Sequence, residues 1–311
     1  MLEDMKTYFK THNKQKEYVG HNSKVHTIGW NADGRRLASG SYDKCIVCCN
    51  QFLNCHGDSV DQLCWHPTHS EQLTSASGDK TVRIWDTRTH KCSATINTKG
   101  ENINITWSPD GHTIAVGNKE DLVSFIDVRS QKIRHEQQFK FEVNELSWNN
   151  ANDLFYLTNA QSGQGYIHIY NYPEMELVHS IHAHPGNCIC IKFEPHGHYF
   201  ATGSADALVS IWDAQELYCK MTLSRLEWPV RTLSFSHDGQ LLASGSEDQT
   251  IDIAHVSTGE QVAHISVAYP TFTLAWVSGT YQCYISYLHT NLGKWCKQCC
   301  MSYLWHKETC P

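Results

Sequence analysis

The chain has 311 residues, with 32 acidic residues against 25 lysines and arginines, and its net charge is −7. Such a chain lacks the general positive charge that holds a nucleic-acid backbone, so we expect any contact with RNA to be local or carried by partners. Hydrophobic residues make up 41% of the sequence, which supplies a buried core and excludes a disordered chain. The polar N-terminus and the lack of long apolar runs predict no membrane contact and a cytosolic or nuclear location.

The sequence contains 14 cysteines. In a reducing compartment we do not expect disulfides. Cysteines that fall in strand-like runs are interpreted as small buried hydrophobic residues, as for Cys64, Cys188 and Cys190.

Along the chain, a short strand that ends in an aromatic residue recurs, followed by a second strand, a turn with Asp and a third strand. The strand-ending aromatic residues lie 35 to 45 residues apart, at Trp30, Trp65, Trp107, Trp148, Phe193, Phe235 and Trp276. A period near 42 residues with about four short strands is typical of the blades of a β-propeller. No segment keeps a helical period, so helices should be scarce.

This repeat predicts an N-terminal segment at 1–17, a propeller at 18–276 and a divergent cysteine-rich tail at 277–311. The predicted fold is an all-β propeller with six readable blades plus an incomplete seventh. The repeats lie near 21–50, 56–90, 101–130, 142–172, 184–214 and 228–256, with the start of a seventh at 270–276. Because the first repeat is short, its outer strand is expected to be clipped or missing.

The repeats resemble those of the WD-repeat family, whose propellers are commonly seven-bladed, and the Trp-Asp pairs at 85–86 and 212–213 are its name-giving dipeptide. In that family a His, a Ser or Thr, the turn Asp and the Trp form a hydrogen-bonded tetrad inside a blade. The resemblance implies two complete tetrads, namely His56, Ser75, Asp79 and Trp85, and His184, Thr202, Asp206 and Trp212. Because the set recurs once per blade, it indicates a scaffold rather than a catalytic site, and we expect no enzyme.

Four stretches indicate a particular branch of the WD-repeat family, because the general repeat pattern does not require their residues. They are 57–67, 97–104, 139–145 and 228–235. They are similar to the THO complex subunit 3 branch of the family. This resemblance implies a non-catalytic scaffold subunit of a THO/TREX-like complex, which couples transcription, mRNA processing and splicing to nuclear mRNA export. It also implies the other THO/TREX subunits as partners, indirect contact with mRNA, and a nuclear location that includes nuclear speckles, although no nuclear localisation run is obvious.

A different WD-repeat adaptor, such as a histone- or chromatin-binding protein or a ubiquitin-ligase substrate receptor, is the alternative function. Propeller partners usually bind the face with the loops that lead into the innermost strands. By position in the repeat, the candidate partner-binding residues are Lys24, His26, Tyr42, Asp61, Glu101, Glu142, Asn144, Trp228, Arg231 and Glu247. Trp228 near Arg231 has the composition of a binding hot spot, and a Trp228 packed inside its blade is the competing interpretation.

The tail contains Cys296-Lys-Gln-Cys299, with Cys300, Cys310 and His306 nearby, which superficially resembles a zinc site. Only one such pair is present, and the remaining residues lack ligand spacing. We therefore expect no metal, no cofactor and no small-molecule substrate.

Overall fold

The repeats of the sequence fold as four-stranded antiparallel sheets in a computed structural model of the chain. The structure describes residues 2–11, 14–18, 20–49, 51–53, 56–267, 270–277, 283–287 and 298–302. The N-terminal residues form a helix, α1 (Leu2–Thr11), and a strand, β1 (Lys14–Tyr18). None of the described helical residues belongs to a helix that is long and apolar enough to cross a membrane.

The next twelve strands form three sheets of four consecutive strands each. Blade one contains β2 (Val25–Trp30), β3 (Leu37–Ser41), β4 (Ile46–Cys48) and β5 (Gln51–Leu53). Blade two contains β6 (Val60–Trp65), β7 (Gln72–Ser77), β8 (Thr81–Asp86) and β9 (Lys91–Asn97). Blade three contains β10 (Asn102–Trp107), β11 (Thr113–Asn118), β12 (Leu122–Asp127) and β13 (Lys132–Gln138).

Three further sheets repeat this arrangement. Blade four contains β14 (Glu142–Trp148), β15 (Leu154–Gln161), β16 (Gln164–Asn171) and β17 (Leu177–His184). Blade five contains β18 (Cys188–Phe193), β19 (Tyr199–Ser204), β20 (Val209–Asp213) and β21 (Cys219–Leu223). Blade six contains β22 (Val230–Phe235), β23 (Leu241–Ser246), β24 (Thr250–His255) and β25 (Gln261–Ser266).

A seventh sheet combines the two ends of the chain. It contains β26 (Ala275–Trp276), β27 (Cys283–Tyr287) and β28 (Gln298–Ser302), and β1 pairs with β28 at its outer edge. Its first strand has only two residues, whereas the first strands of the six preceding blades have six or seven. Two segments of the predicted tail are thus strands of this sheet. The fold class predicted from the sequence, an all-β propeller with little helix, is confirmed.

The first strand of each blade packs against the first strands of its neighbours, and β26 contacts both β22 and β2, so the sheets surround a common axis. The hydrophobic clusters lie between adjacent blades; one combines Ala38 and Ile46 of blade one with Val60, Leu63 and Trp65 of blade two. This packing explains the Ser-Gly pairs at the ends of the second strands. A Cβ atom at Gly40 would lie 2.6 Å from Val60, so the close approach of the next blade requires glycine.

Blade one is the smallest of the six complete blades, because β4 and β5 have three residues each. Its outer strand is therefore present but clipped. Cys188 and Cys190 are buried and Cys64 is partly buried, which agrees with their interpretation as small hydrophobic residues. The expectation that the cysteines are free is wrong for Cys45, which is disulfide-bonded.

The helix α1 is the main element that the repeat does not predict. Met5, Tyr8 and Phe9 are buried in one cluster with Val262 and Ile265 of β25. Residues with this spacing lie on one face of a helix, so α1 packs that face against blade six. The N-terminal segment is therefore part of the folded molecule.

Candidate protein-docking face

The chemistry of the tetrads is clearest in blade two. His56 Nδ1 lies 2.9 Å from Asp79 Oδ2, and His56 Nε2 lies 2.7 Å from Ser75 Oγ. Trp85 Nε1 donates a hydrogen bond of 2.9 Å to the same serine oxygen. An ionised carboxylate can only accept, so the imidazole proton is on Nδ1, and Nε2 accepts the serine proton. The four side chains thus form one directed chain of hydrogen bonds inside the blade.

The surroundings hold Asp79 ionised and His56 neutral. Burial opposes ionisation of Asp79, but hydrogen bonds from Thr81, the Gly57 N–H and His56 outweigh it and lower the pKa of Asp79 to about 2. Burial also lowers the pKa of His56, against the opposing effect of Asp79. Both shifts favour the protonation states that the hydrogen-bond chain requires.

The same arrangement recurs in blade five and in part in blade one. His184 lies 3.1 Å from Asp206 and 2.9 Å from Thr202, to which Trp212 donates. In blade one, His21 bridges Asp43 and Ser39, while the position of the tryptophan is taken by Cys49. Repetition at the same place in separate blades is the property of a scaffold.

Blade six replaces the tetrad with a different buried cluster, which sequence reasoning missed. Asp252 is 1% exposed and accepts hydrogen bonds from Arg225 Nε, Arg225 Nη2 and Gln261 Nε2 at 2.6 to 3.0 Å. Leu226, which is buried, occupies the position of the histidine. The available signal was an acidic residue inside an otherwise apolar strand, together with an arginine 27 residues upstream.

The candidate partner-binding residues are positioned by a recurring main-chain contact. In blade one, the Tyr42 N–H donates to the Lys24 carbonyl at 2.8 Å. In blade three, the Lys119 N–H donates to Glu101 in the same way at 2.9 Å. Each bond joins the turn between the second and third strands to the segment that enters the innermost strand. The candidate partner-binding residues of the different blades lie on this edge of the sheets. We call this edge the docking face.

Several of these residues contact one another across or within blades. His26 of blade one lies 3.1 Å from Asp61 of blade two. Asn144 of blade four donates to Asn187 Oδ1 at 2.7 Å and to the Cys188 carbonyl at 2.9 Å, in the segment that enters blade five. Lys24, Tyr42 and Glu142 are exposed, and Glu101 forms an ion pair with Lys119.

The blade-six part of the docking face combines an ion pair with an exposed aromatic ring. Arg231 Nε donates to Glu247 Oε1 at 2.6 Å, and the Trp228 side chain beside them is 57% exposed. A hydrogen bond of 2.8 Å from Ser246 Oγ to the Trp228 carbonyl fixes the main chain. Trp228 is thus a surface residue and is not packed inside its blade.

An exposed phenylalanine that sequence reasoning missed lies next to this group. The Thr271 N–H donates to the Ser246 carbonyl at 3.1 Å, which places Phe272 beside the Trp228 segment, and Phe272 is 42% exposed. The repeat contained the signal for it, because Phe272 lies four residues before the strand-ending Trp276, as Arg231 lies four residues before Phe235.

A polar group on the innermost strands was also missed. Gln62 of blade two donates to Glu145 of blade four at 3.1 Å. The carboxylate of Glu145 raises the pKa of Lys192 in blade five, despite the opposing effect of burial. These side chains connect three blades around the axis, and each is a polar residue within a strand that is otherwise apolar at alternate positions.

Among the described residues, no group of three or more His, Cys, Asp or Glu could hold a metal ion. Cys299 and Cys300 lie in β28, while Cys296, His306 and Cys310 lie outside the described residues. The zinc-like pattern of the tail therefore has no described geometry.

A propeller of four-stranded sheets whose blades contain His-Ser/Thr-Asp-Trp hydrogen-bond chains defines the WD-repeat class of proteins. Residues 21–280 match a family described as the THOC3 beta-propeller domain. The chain is 47% identical over 261 residues to THO complex subunit 3 of Arabidopsis thaliana, a match that covers 80% of this chain and 82% of that protein. The chain belongs to the THOC3 β-propeller family.

Two more distant proteins are also similar to the chain. WD repeat-containing protein AAC3 of Dictyostelium discoideum is 30% identical over 72% of this chain and 53% of its own length. Among solved structures, the Cps50 (Swd1) β-propeller domain of Myceliophteria thermophila superposes with a TM-score of 0.79, covering 92% of this chain and 99% of that domain. Its sequence identity is 15%, so this likeness concerns the fold alone.

Proposed function

We propose that this protein is a non-catalytic scaffold subunit of a THO/TREX-like complex and acts in the nucleus, including nuclear speckles. In this role it links transcription, mRNA processing and splicing to mRNA export. It binds the other subunits of the complex through the docking face, and mRNA reaches it through those partners. Membership of the THOC3 β-propeller family supports the assignment of this protein to a THO-like complex.

The observation that carries the docking step is the exposed Trp228 beside the Arg231–Glu247 ion pair. An aromatic ring and an arginine are the side chains that most often dominate a protein interface. The ion pair fixes Arg231 before binding, which lowers the entropy cost of placing its guanidinium against a partner.

The test is affinity purification of the tagged full chain from nuclear extract, followed by mass spectrometry. The wild-type chain should recover the other THO subunits together with the export machinery. Trp228→Ala should lower that recovery by about tenfold or more, because loss of a hot-spot residue costs about 2 kcal/mol or more. Nuclease treatment should remove mRNA but leave the protein partners bound.

Phe52→Ala is the matched control, because Phe52 is 56% exposed on the outer strand of blade one, away from the docking face. It should leave the recovery of partners unchanged. Recovery of mainly chaperones by the wild-type chain contradicts the scaffold assignment. Equal losses in the two variants would exclude docking at Trp228.

A further inference from the structure

The outermost strand of a sheet presents unpaired N–H and C=O groups, which native proteins usually protect by charge, short length or a covering element. Most outer strands of this propeller have such protection. β9, β13 and β21 each contain a lysine, and β1 contains two. β5 has only three residues, and β25, which has no charged residue, packs against α1.

The outer strand of blade four, β17, has none of these protections. It is eight residues long, contains no Lys, Arg, Asp or Glu, and β16 is its one neighbour among the described strands. Its first four side chains are exposed, and the exposed fractions of Leu177 and Val178 are 53% and 46%. At the corresponding turn of blade five, Tyr218 is 52% exposed. The edge of β17 is therefore long and open, and it begins with two exposed aliphatic side chains, which are followed by the exposed polar residues His179, Ser180 and His182.

Carboxylates surround the beginning of this edge. Glu174 and Glu176 lie in the turn that leads into β17, and Glu216 lies in the equivalent turn of the neighbouring blade. All three are exposed, and the described part of the chain offers no ion pair to any of them. The basic residue that follows, Lys220, donates to the Tyr199 hydroxyl at 3.0 Å. The beginning of the edge thus combines two exposed aliphatic side chains with carboxylates that no described residue pairs.

We infer that β17 is a second docking surface, on which an extended segment of a partner protein adds as a fifth strand of blade four. The segment is aliphatic at alternate positions and carries Lys or Arg at the end that meets Glu174 and Glu176. Main-chain hydrogen bonds supply the affinity in this kind of recognition, and the side chains supply the specificity. The beginning of β17 and its carboxylates lie at the edge of the sheets opposite the docking face, and only the last residue, His184, reaches the docking face, where it pairs with Gly165. The inference therefore does not depend on the proposed function.

A direct test uses the full chain and a fluorescent peptide of alternating valine and threonine that ends in two lysines, and fluorescence anisotropy measures binding. The peptide should bind with a dissociation constant of about 10 to 100 μM, and hydrogen exchange should slow at residues 177–184. The same peptide with alternate backbone nitrogens methylated should not bind, because it cannot donate to the strand.

Two substitutions of Val178 distinguish the effect of charge on peptide binding from the effect of losing the valine side chain. Val178→Lys should weaken peptide binding about tenfold or more, because it places a positive charge against the basic segment. Val178→Glu should keep the affinity for the peptide within about threefold of the wild-type value, because attraction between the added carboxylate and the peptide lysines offsets the lost apolar contact. Thr95→Lys is the control, since Thr95 is exposed on the outer strand of blade two and receives the same charge.

Three outcomes would overturn the inference. Undiminished binding by the methylated peptide would show charge attraction without strand addition. Equal weakening by Val178→Lys and Val178→Glu would exclude a basic segment. A wild-type dimer in sedimentation that both Val178 variants abolish would assign the edge to a second copy of this chain.

Discussion

Ser75 is the residue through which the tetrad of blade two is connected. Its hydroxyl accepts from Trp85 and donates to His56, and Ser75 itself is fully buried. Because water cannot reach this position, the tryptophan and the histidine have no replacement partner if the hydroxyl is removed.

Ser75→Ala is expected to lower the free energy of unfolding by about 2 to 4 kcal/mol, because two buried polar groups lose their partner. Ser244→Ala is the matched control at the equivalent position of blade six. There the hydroxyl has one long contact, 3.4 Å to the Asp252 carbonyl, so the loss should be about 1 kcal/mol or less. Urea denaturation of both variants measures the difference, and equal losses would contradict a cooperative tetrad.

The tetrads could be predicted from sequence because their members keep a fixed spacing within one repeat. Gln62 and Glu145 could not, because they are 83 residues apart and meet only when the blades surround the axis. The sequence also did not decide whether Trp228 lies on the surface or inside its blade, because a tryptophan beside a proline fits both positions.

At the scale of elements, α1 protects a strand that would otherwise resemble β17. The two strands β17 and β25 both lack charge, but only β25 contacts a helix. A ten-residue helix is marginal by itself in water, so its packing against blade six is the main source of its stability.

Phe9→Ala should therefore detach the helix locally. Loss of a buried phenylalanine costs about 3 kcal/mol, which corresponds to about 100-fold faster amide exchange in α1. Exchange at residues 261–266 of β25 should also accelerate, and hydrogen-exchange mass spectrometry measures both segments. Thr7→Ala, on the exposed side of the same helix, should change neither. An effect of equal size in both variants would exclude the packing explanation.

The strands of the six blades were predictable because each repeat contains its own turns and its own hydrophobic pattern. α1 was not, because its apolar face has only three buried residues and lies outside the repeat. In the seventh sheet, β27 and β28 were not predictable, because they lack the turn aspartate and the Trp-Asp pair that identify the other blades.

At the scale of the whole molecule, the axis connects blades that are not adjacent. Gln62 also accepts from the Ile105 N–H, so one side chain joins blades two, three and four. Loss of Glu145 removes both the acceptor for Gln62 and the charge that stabilises the Lys192 ammonium.

A double-mutant cycle of Gln62→Ala and Glu145→Ala should give a coupling energy of about 1 kcal/mol. The control cycle combines Gln62→Ala with Glu174→Ala at the opposite rim of blade four, and its effects should add within about 0.5 kcal/mol. Denaturant unfolding of the single and double variants measures both cycles. Strict additivity in the first cycle would show that the contact across the axis does not contribute to stability.

The pairing of β1 with β28 has a consequence for biosynthesis. Residues 14–18 leave the ribosome early, but their partner strand, residues 298–302, is translated last among the described elements. At roughly 5 to 20 residues per second, the first strand waits about 15 to 60 seconds for its partner. During that interval the nascent chain exposes one blade flank and one free strand, which are the surfaces most prone to aggregation until β28 is made.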